Sequence, residues 1–165
     1  MIEQTAFAAR VFLPFVVPIC LWVAWSDLRV MKIPNKAVVA LFAVFVVLGL
    51  FLMPFQQYLW QLSHVVIVLL AGIVLNAAGA MGAGDAKFAA AAAPFIMLGD
   101  LRILIALYMA NLLAAFATHR LAKHTALRKL APDWRSWNVG SDLPMGLSLG
   151  ATLAIYLGFC ALYGS

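Results

Sequence analysis

The sequence predicts an all-α fold: a polytopic membrane helix bundle of about six transmembrane helices, one domain over residues 1–165, with both termini outside the cytoplasm. Three observations predict it. Hydrophobic residues make up 66% of the chain and charged residues 10%, with a mean hydropathy of +1.03; a soluble domain is nearer half apolar and a quarter charged. The apolar runs are continuous over about 17–20 residues, long enough for helices to cross a bilayer, and do not alternate in segments of about ten as barrel strands do. Basic residues fall between the runs and alternate in density from loop to loop.

The expected spans are Ala6–Ser26, Lys36–Met53, Leu62–Ala78, Asp85–Leu98, Leu101–Thr118 and Pro144–Tyr163. The first is preceded by Glu3 and lacks a basic leading region, so it reads as a retained helix and not a cleaved signal. Pro34-Asn35 before the second apolar run is a helix start, with Asn35 as the expected N-cap. The fourth span is short: at 1.5 Å per residue it covers roughly 20 Å of a core about 30 Å thick. That places Asp85 near the membrane boundary. The alanine run Ala89–Ala93 permits close helix packing.

The odd-numbered loops carry nine of the eleven Lys and Arg residues: Arg29, Lys32, Lys36, Lys87, Arg120, Lys123, Arg128, Lys129 and Arg135. The other two, Arg10 and Arg102, lie in the N-terminal tail region and an even loop. The positive-inside rule then puts the odd loops in the cytoplasm. Trp60, Trp134, Trp137, Tyr58 and Tyr163 near span ends read as interfacial anchors. The long fifth loop, from His119 to Leu143, reads either as a solvated basic loop or as an amphipathic helix on the membrane surface. The net charge of +5 is explained by topology. No nucleic-acid motif appears, and nucleic acid is not an expected partner. Cys20 and Cys160 stand alone in apolar segments without a C-x-x-C, and His119 and His124 lack a carboxylate pattern, so no metal site and no cofactor is expected.

This topology sorts the six acids. Glu3 and Asp100 fall outside, while Asp27, Asp85, Asp133 and Asp142 fall on the cytoplasmic side. Asp27 closes the first span and Asp85 opens the fourth. Packing can bring such residues together at one membrane face. Two adjacent carboxylates then share a proton. The ionised one can deprotonate water while the protonated one donates to a scissile carbonyl, which is peptide hydrolysis without a metal or a covalent intermediate. Gly79, Gly82 and Gly84 leave space for a strand beside Asp85. A plainer reading also stands: a glycine loop with Asp85 capping a membrane helix. Lys87 reads equally as a residue tuning Asp85 and as an interfacial lysine. Asn76 and Asn111 read as interhelical hydrogen-bonding residues, and Asp142 as a loop-end residue or a third acid near the pair.

The segments SDLRVMKIPN (Ser26–Asn35) and GAMGAGDAKFAAA (Gly79–Ala91) together resemble the type IV prepilin peptidases. DLPMGLSLG (Asp142–Gly150) is similar to that family's C-terminal Pro-aromatic-Gly element, with Met145 in place of the aromatic. The resemblance implies an aspartic endopeptidase that removes the short basic leader of prepilins and pseudopilins, the substrates with class III signal peptides, after a glycine at the cytoplasmic face. It implies Asp27 and Asp85 as the catalytic pair, Gly82 and Gly84 as motif glycines, and Lys87, Pro34 and Asn35 as motif positions near the substrate path. It implies the bacterial inner membrane and contact with the lipid bilayer. The chain resembles the minimal peptidase-only TadV/CpaA group of Flp or tight-adherence pilus systems. The sequence lacks the paired C-x-x-C region of bifunctional members, so N-methyltransferase activity is not expected. Two other classes remain open, a small proton-coupled transporter and a non-catalytic pilus-assembly membrane protein. The transporter would need acids deep within spans, and none falls at an expected midplane.

Overall fold

The computed structural model describes residues 2–125, 128–129, 131–137 and 144–165. The principal helices are α1 (Ala6–Val30), α2 (Asn35–Leu52), α3 (Phe55–Ala77), α4 (Ala83–Ala92), α5 (Leu101–Lys123) and α6 (Met145–Tyr163). Among the described residues, five helices are long and apolar enough to cross a membrane: α1, α2, α3, α5 with the turn leading into it, and α6. The chain is a multi-pass membrane protein.

The fourth expected span is not one helix. α4 starts at Ala83 and covers ten residues, followed by a 3-10 turn at Ala93–Phe95, extended residues Ile96 and Met97, and a second 3-10 turn at Leu98–Asp100. Pro94 explains the break, because it has no N–H to donate and its ring crowds the preceding turn. The segment still travels the length of the bundle. At one end Ala86 packs on Gly72 of α3, where a Cβ on Gly72 would lie 2.8 Å from the Ala86 Cβ. At the other end Met97 Sδ lies 2.6 Å from Gln61 Nε2. Short α structure and extended residues together do the work of a longer helix.

The centre of the bundle is α1 against α6, the most extensive helix pair. On α1, Phe12, Val16, Cys20, Val23 and Asp27 are buried at helical spacing, so an acid ends an otherwise apolar stripe. On α6, Gly146 and Gly150 are four residues apart and face that stripe. A Cβ on Gly150 would come 3.0 Å from the Cys20 carbonyl oxygen. Lipid tails are as apolar as leucine, so association in a bilayer depends on such close packing and on interhelical hydrogen bonds. Asn111 supplies one bond, donating from Nδ2 to Thr152 Oγ1 at 3.0 Å between α5 and α6. Phe12, Phe45 and Phe95 interlock edge-on with centroids 4.9 and 5.2 Å apart, tying α1, α2 and the turn after α4 together.

The chain ends meet at one end of the bundle. Ile2 bridges Gly164, and Ser165 accepts from the Ala6 amide at 3.3 Å. Asp100, expected only as an external loop acid, is the anchor here and is 0% exposed. It accepts from the backbone amides of Glu3 and Gln4 at 2.8 and 3.2 Å and from the Tyr156 hydroxyl at 2.7 Å. Removing the carboxylate strands three donors, two of them in buried bonds. Asp100→Ala is therefore expected to destabilise the folded protein by about 3 kcal/mol, read as a lowered unfolding midpoint in detergent.

Several sequence expectations shift at the edges. α3 starts at Phe55 and not Leu62, and α5 runs on to Lys123, absorbing the first residues of the expected fifth loop. Among the described residues of the loop between α5 and α6 there are only turns and short 3-10 turns, including Arg135–Trp137, and no α-helix. Trp137 and Tyr58 are buried packing residues instead of interfacial anchors. Trp137 stacks on His119 and Trp134, and Trp134 meets Trp25 edge-on, which holds this loop against the end of α1. Tyr58 stacks on Phe45 and donates to the Val46 carbonyl. Asn76 bonds within its own turn, from Nδ2 to the Met81 carbonyl at 2.8 Å, and not between helices. Asp142 lies outside the described residues.

Candidate functional site

Three helix ends converge at the end of the bundle opposite the chain termini: the last turn of α1 and the first turns of α4 and α6. Asp27, on the buried stripe of α1, is 6% exposed. Its backbone carbonyl accepts from the Met31 amide at 2.8 Å, closing α1 with Met31 at a positive φ of 56°. Its side-chain Oδ2 accepts from the Gly146 amide at 2.7 Å, at the N-terminus of α6. The glycine is required by space. A Cβ there would stand 3.0 Å from both the Cβ and Oδ2 of Asp27. Ser26 donates to the Lys32 carbonyl at 2.9 Å and pins the loop that follows.

Asp85 lies in the first turn of α4. The N-cap is Gly82, not Asp85 as the plain reading of the sequence had it. Asp85 instead reaches back to the Gly82 amide, the return half of a capping box. A Cβ on Gly82 would lie 2.6 Å from Asp85 Oδ2, so only glycine leaves the carboxylate where it is. Gly84 packs on Ile33, with a Cβ placed at 3.4 Å from the Ile33 Cβ. The loop after α1 and the glycine segment before α4 therefore dock on each other.

The two carboxylates sense each other. The Asp85 carboxyl is pushed up to about 6, first by burial, then by the negative charge of Asp27, against the opposing hydrogen bond from Gly82. The N-termini of α4 and α6 place positive dipole ends beside the pair, which favours keeping one member ionised. Chemically, two carboxyl groups with one proton between them can act as base and acid in a single step. Among the described residues no cluster of three or more His, Cys, Asp or Glu side chains is placed to hold a metal ion.

The structure brings Asp27, Asp85, Gly82 and Gly84 to this end together. It leaves Lys87 exposed on α4. Pro34 occupies the N-cap of α2, and Asn35, expected there, is the exposed first helical residue. The fixed φ of proline ends the loop, and the Pro34 carbonyl takes the Ala37 and Val38 amides at 3.0 and 3.3 Å. Gly79 has a local backbone role. At φ 73° it terminates α3 in a Schellman motif, with Gly79 donating to the Asn76 carbonyl and Ala80 to that of Leu75. These two glycines should therefore separate. Gly79→Ala is expected to cost about 1 kcal/mol of stability with any Asp85-dependent activity retained, whereas Gly82→Ala is expected to lower that activity about 10²-fold by displacing Asp85. Thermal unfolding and turnover of purified variants read the two effects.

Two residues were missed in the sequence. The role of Gly146 was signalled by its four-residue spacing from Gly150, a close-packing pattern in an apolar helix. Tyr108, on α5 and half-buried, lies within electrostatic range of Asp85. A tyrosine among apolar residues carried no periodic signal to separate it from packing.

A sequence model of the type IV leader peptidase family matches residues 15–119, which include both acids, the loop after α1 and the glycine segment. No curated protein and no solved structure matches the chain.

Proposed function

This chain belongs to the type IV leader peptidase family, and on that footing we propose that it is an aspartic endopeptidase whose catalytic pair is Asp27 and Asp85. It removes the short basic leader of prepilins or pseudopilins after a glycine, at the cytoplasmic face of the bacterial inner membrane, with its termini on the far side. One observation carries the assignment: Asp27 and Asp85, far apart in sequence, sit within charge–charge range at one end of the bundle. The peptidase-only TadV/CpaA group is the proposed subgroup.

The mechanism follows from the pair. The ionised carboxylate takes a proton from water as it attacks the scissile carbonyl, and the protonated one donates to the carbonyl oxygen. Collapse of the tetrahedral intermediate returns a proton to the leaving amine. The Gly146 and Gly82 amides each hold one carboxylate in place. Which acid acts as base is set by the shared proton and not by a fixed label.

The pH profile tests this reading. Asp85 is raised, so the singly protonated pair persists to about pH 6 and is lost as pH rises through that value. kcat/KM on a peptide carrying a basic leader, a glycine and an apolar helix should fall on the alkaline side with an apparent pKa of about 6. In the kcat profile the same limb should move upward, because bound substrate displaces water from the pair and penalises the doubly charged form. A flat profile across this range, or proton flux in liposomes without proteolysis, would overturn the peptidase reading in favour of transport.

A further inference from the structure

A cavity of about 580 Å³ opens between α3 and α5 along the length of α4. Its floor includes Ala89, Ala92 and Ala93. These lie four, seven and eight residues after Asp85, so they continue down the helical face that starts with the acid. Tyr108 lines it near the acid end, and Ile67 and Ile105 are on its walls. The cavity is thus a groove whose one end is lined by Tyr108, a residue within electrostatic range of Asp85. α5, its outer wall, is the least buried of the membrane-length helices.

His64 supplies an independent observation. It lines the groove, is 7% exposed, and its Nε2 has no hydrogen-bond partner. A buried unpaired ring nitrogen is costly and calls for a polar group from outside. A lipid acyl chain has none to offer, whereas a peptide helix can present a polar side chain. Gly72 faces Ala86 and Gln61 faces Met97, so His64 is level with about Pro94. A helix leaving Asp85 at 1.5 Å per residue reaches that level after about nine residues.

We propose that this groove seats the apolar helix of the peptide substrate, its N-terminal end at Asp85 and a polar side chain about nine residues further on paired with His64. The small alanine floor lets the two helix backbones approach closely. The proposal rests on the peptidase reading for the identity of the substrate, but its test does not require turnover.

Single cysteines are introduced at Ile67 or Ile105, both 59% exposed, in the Asp85→Asn background, with Leu21→Cys on α1, 65% exposed, as the control. The native Cys20 and Cys160 are buried. Crosslinking in liposomes to a peptide with a basic leader, a glycine and an apolar helix is expected from Ile67 and Ile105 and not from Leu21. In the otherwise native protein, Ala89→Leu or Ile105→Trp fills the groove. Cleavage of the helix-bearing peptide should fall about tenfold, with no change for a short peptide that ends just past the glycine. The proposal is overturned by equal crosslinking at Leu21, by crosslinks only between copies of this chain, by no crosslink at the groove, or by equal losses on both peptides. Full cleavage by Asp85→Asn would defeat the catalytic assignment while leaving the crosslinking result to stand on its own.

Discussion

Asp27→Asn and Asp85→Asn are each expected to lower cleavage of a prepilin-type substrate by about 10²–10⁴-fold while leaving the protein folded in the membrane. The substitution isolates the proton chemistry. An asparagine at position 27 can still accept from the Gly146 amide through its carbonyl oxygen, and one at 85 can still accept from Gly82. A neutral amide is also cheaper to bury than a carboxylate, so unfolding in detergent should occur at an unchanged or higher temperature. Because the two acids act as one unit, the double variant should lose little more than either single one. Near-native cleavage by either single variant would remove the pair as the catalytic centre.

Gly146→Ala should be the next most damaging change, and its signature differs. The added methyl stands 3.0 Å from the Cβ and Oδ2 of Asp27, atoms that cannot yield without moving α1 or turning the carboxylate away. Loss of about 10²-fold in kcat is expected, with KM nearly unchanged, since a misplacement of about 1 Å at a reacting group costs that much. The alkaline limb of the pH profile should shift as well, because the Gly146 amide no longer holds the Asp27 carboxylate. Gly150→Ala is the control: its methyl meets the Cys20 carbonyl oxygen at 3.0 Å, away from the acids. It should lower stability by about 1–3 kcal/mol and leave kcat per folded molecule close to normal. Equal loss of kcat in both variants would mean that Gly146 acts through helix packing alone.

The sequence was most legible where one physical rule dominated. Continuous apolar runs exposed the membrane helices, and the two acids stood out because a charge at the end of an apolar span is costly. Hydropathy reads the fourth segment as one helix because it is blind to backbone geometry, and Pro94 breaks that helix. Gly79 was grouped with Gly82 and Gly84 because all three look alike in sequence; only the backbone separates the one with φ 73° from the N-cap beside Asp85. Asp100 went unread as an anchor because its three donors come from the N-terminal segment and from Tyr156, contacts of long sequence separation. Lys87, Pro34 and Asn35 stand in the motifs, and the structure gives them local or exposed positions.

The pairing of α1 with α6 also sets an order of assembly during synthesis. The amide that receives Asp27 lies 119 residues downstream, on a helix made after the other five. While the ribosome is still extending the chain, Asp27 has no Gly146 to hold it and the groove has no α6 behind it. A nascent chain therefore makes α1–α5 before the proposed pair can be completed, and entry of α6 both closes the bundle and supplies the amide that Asp27 accepts from.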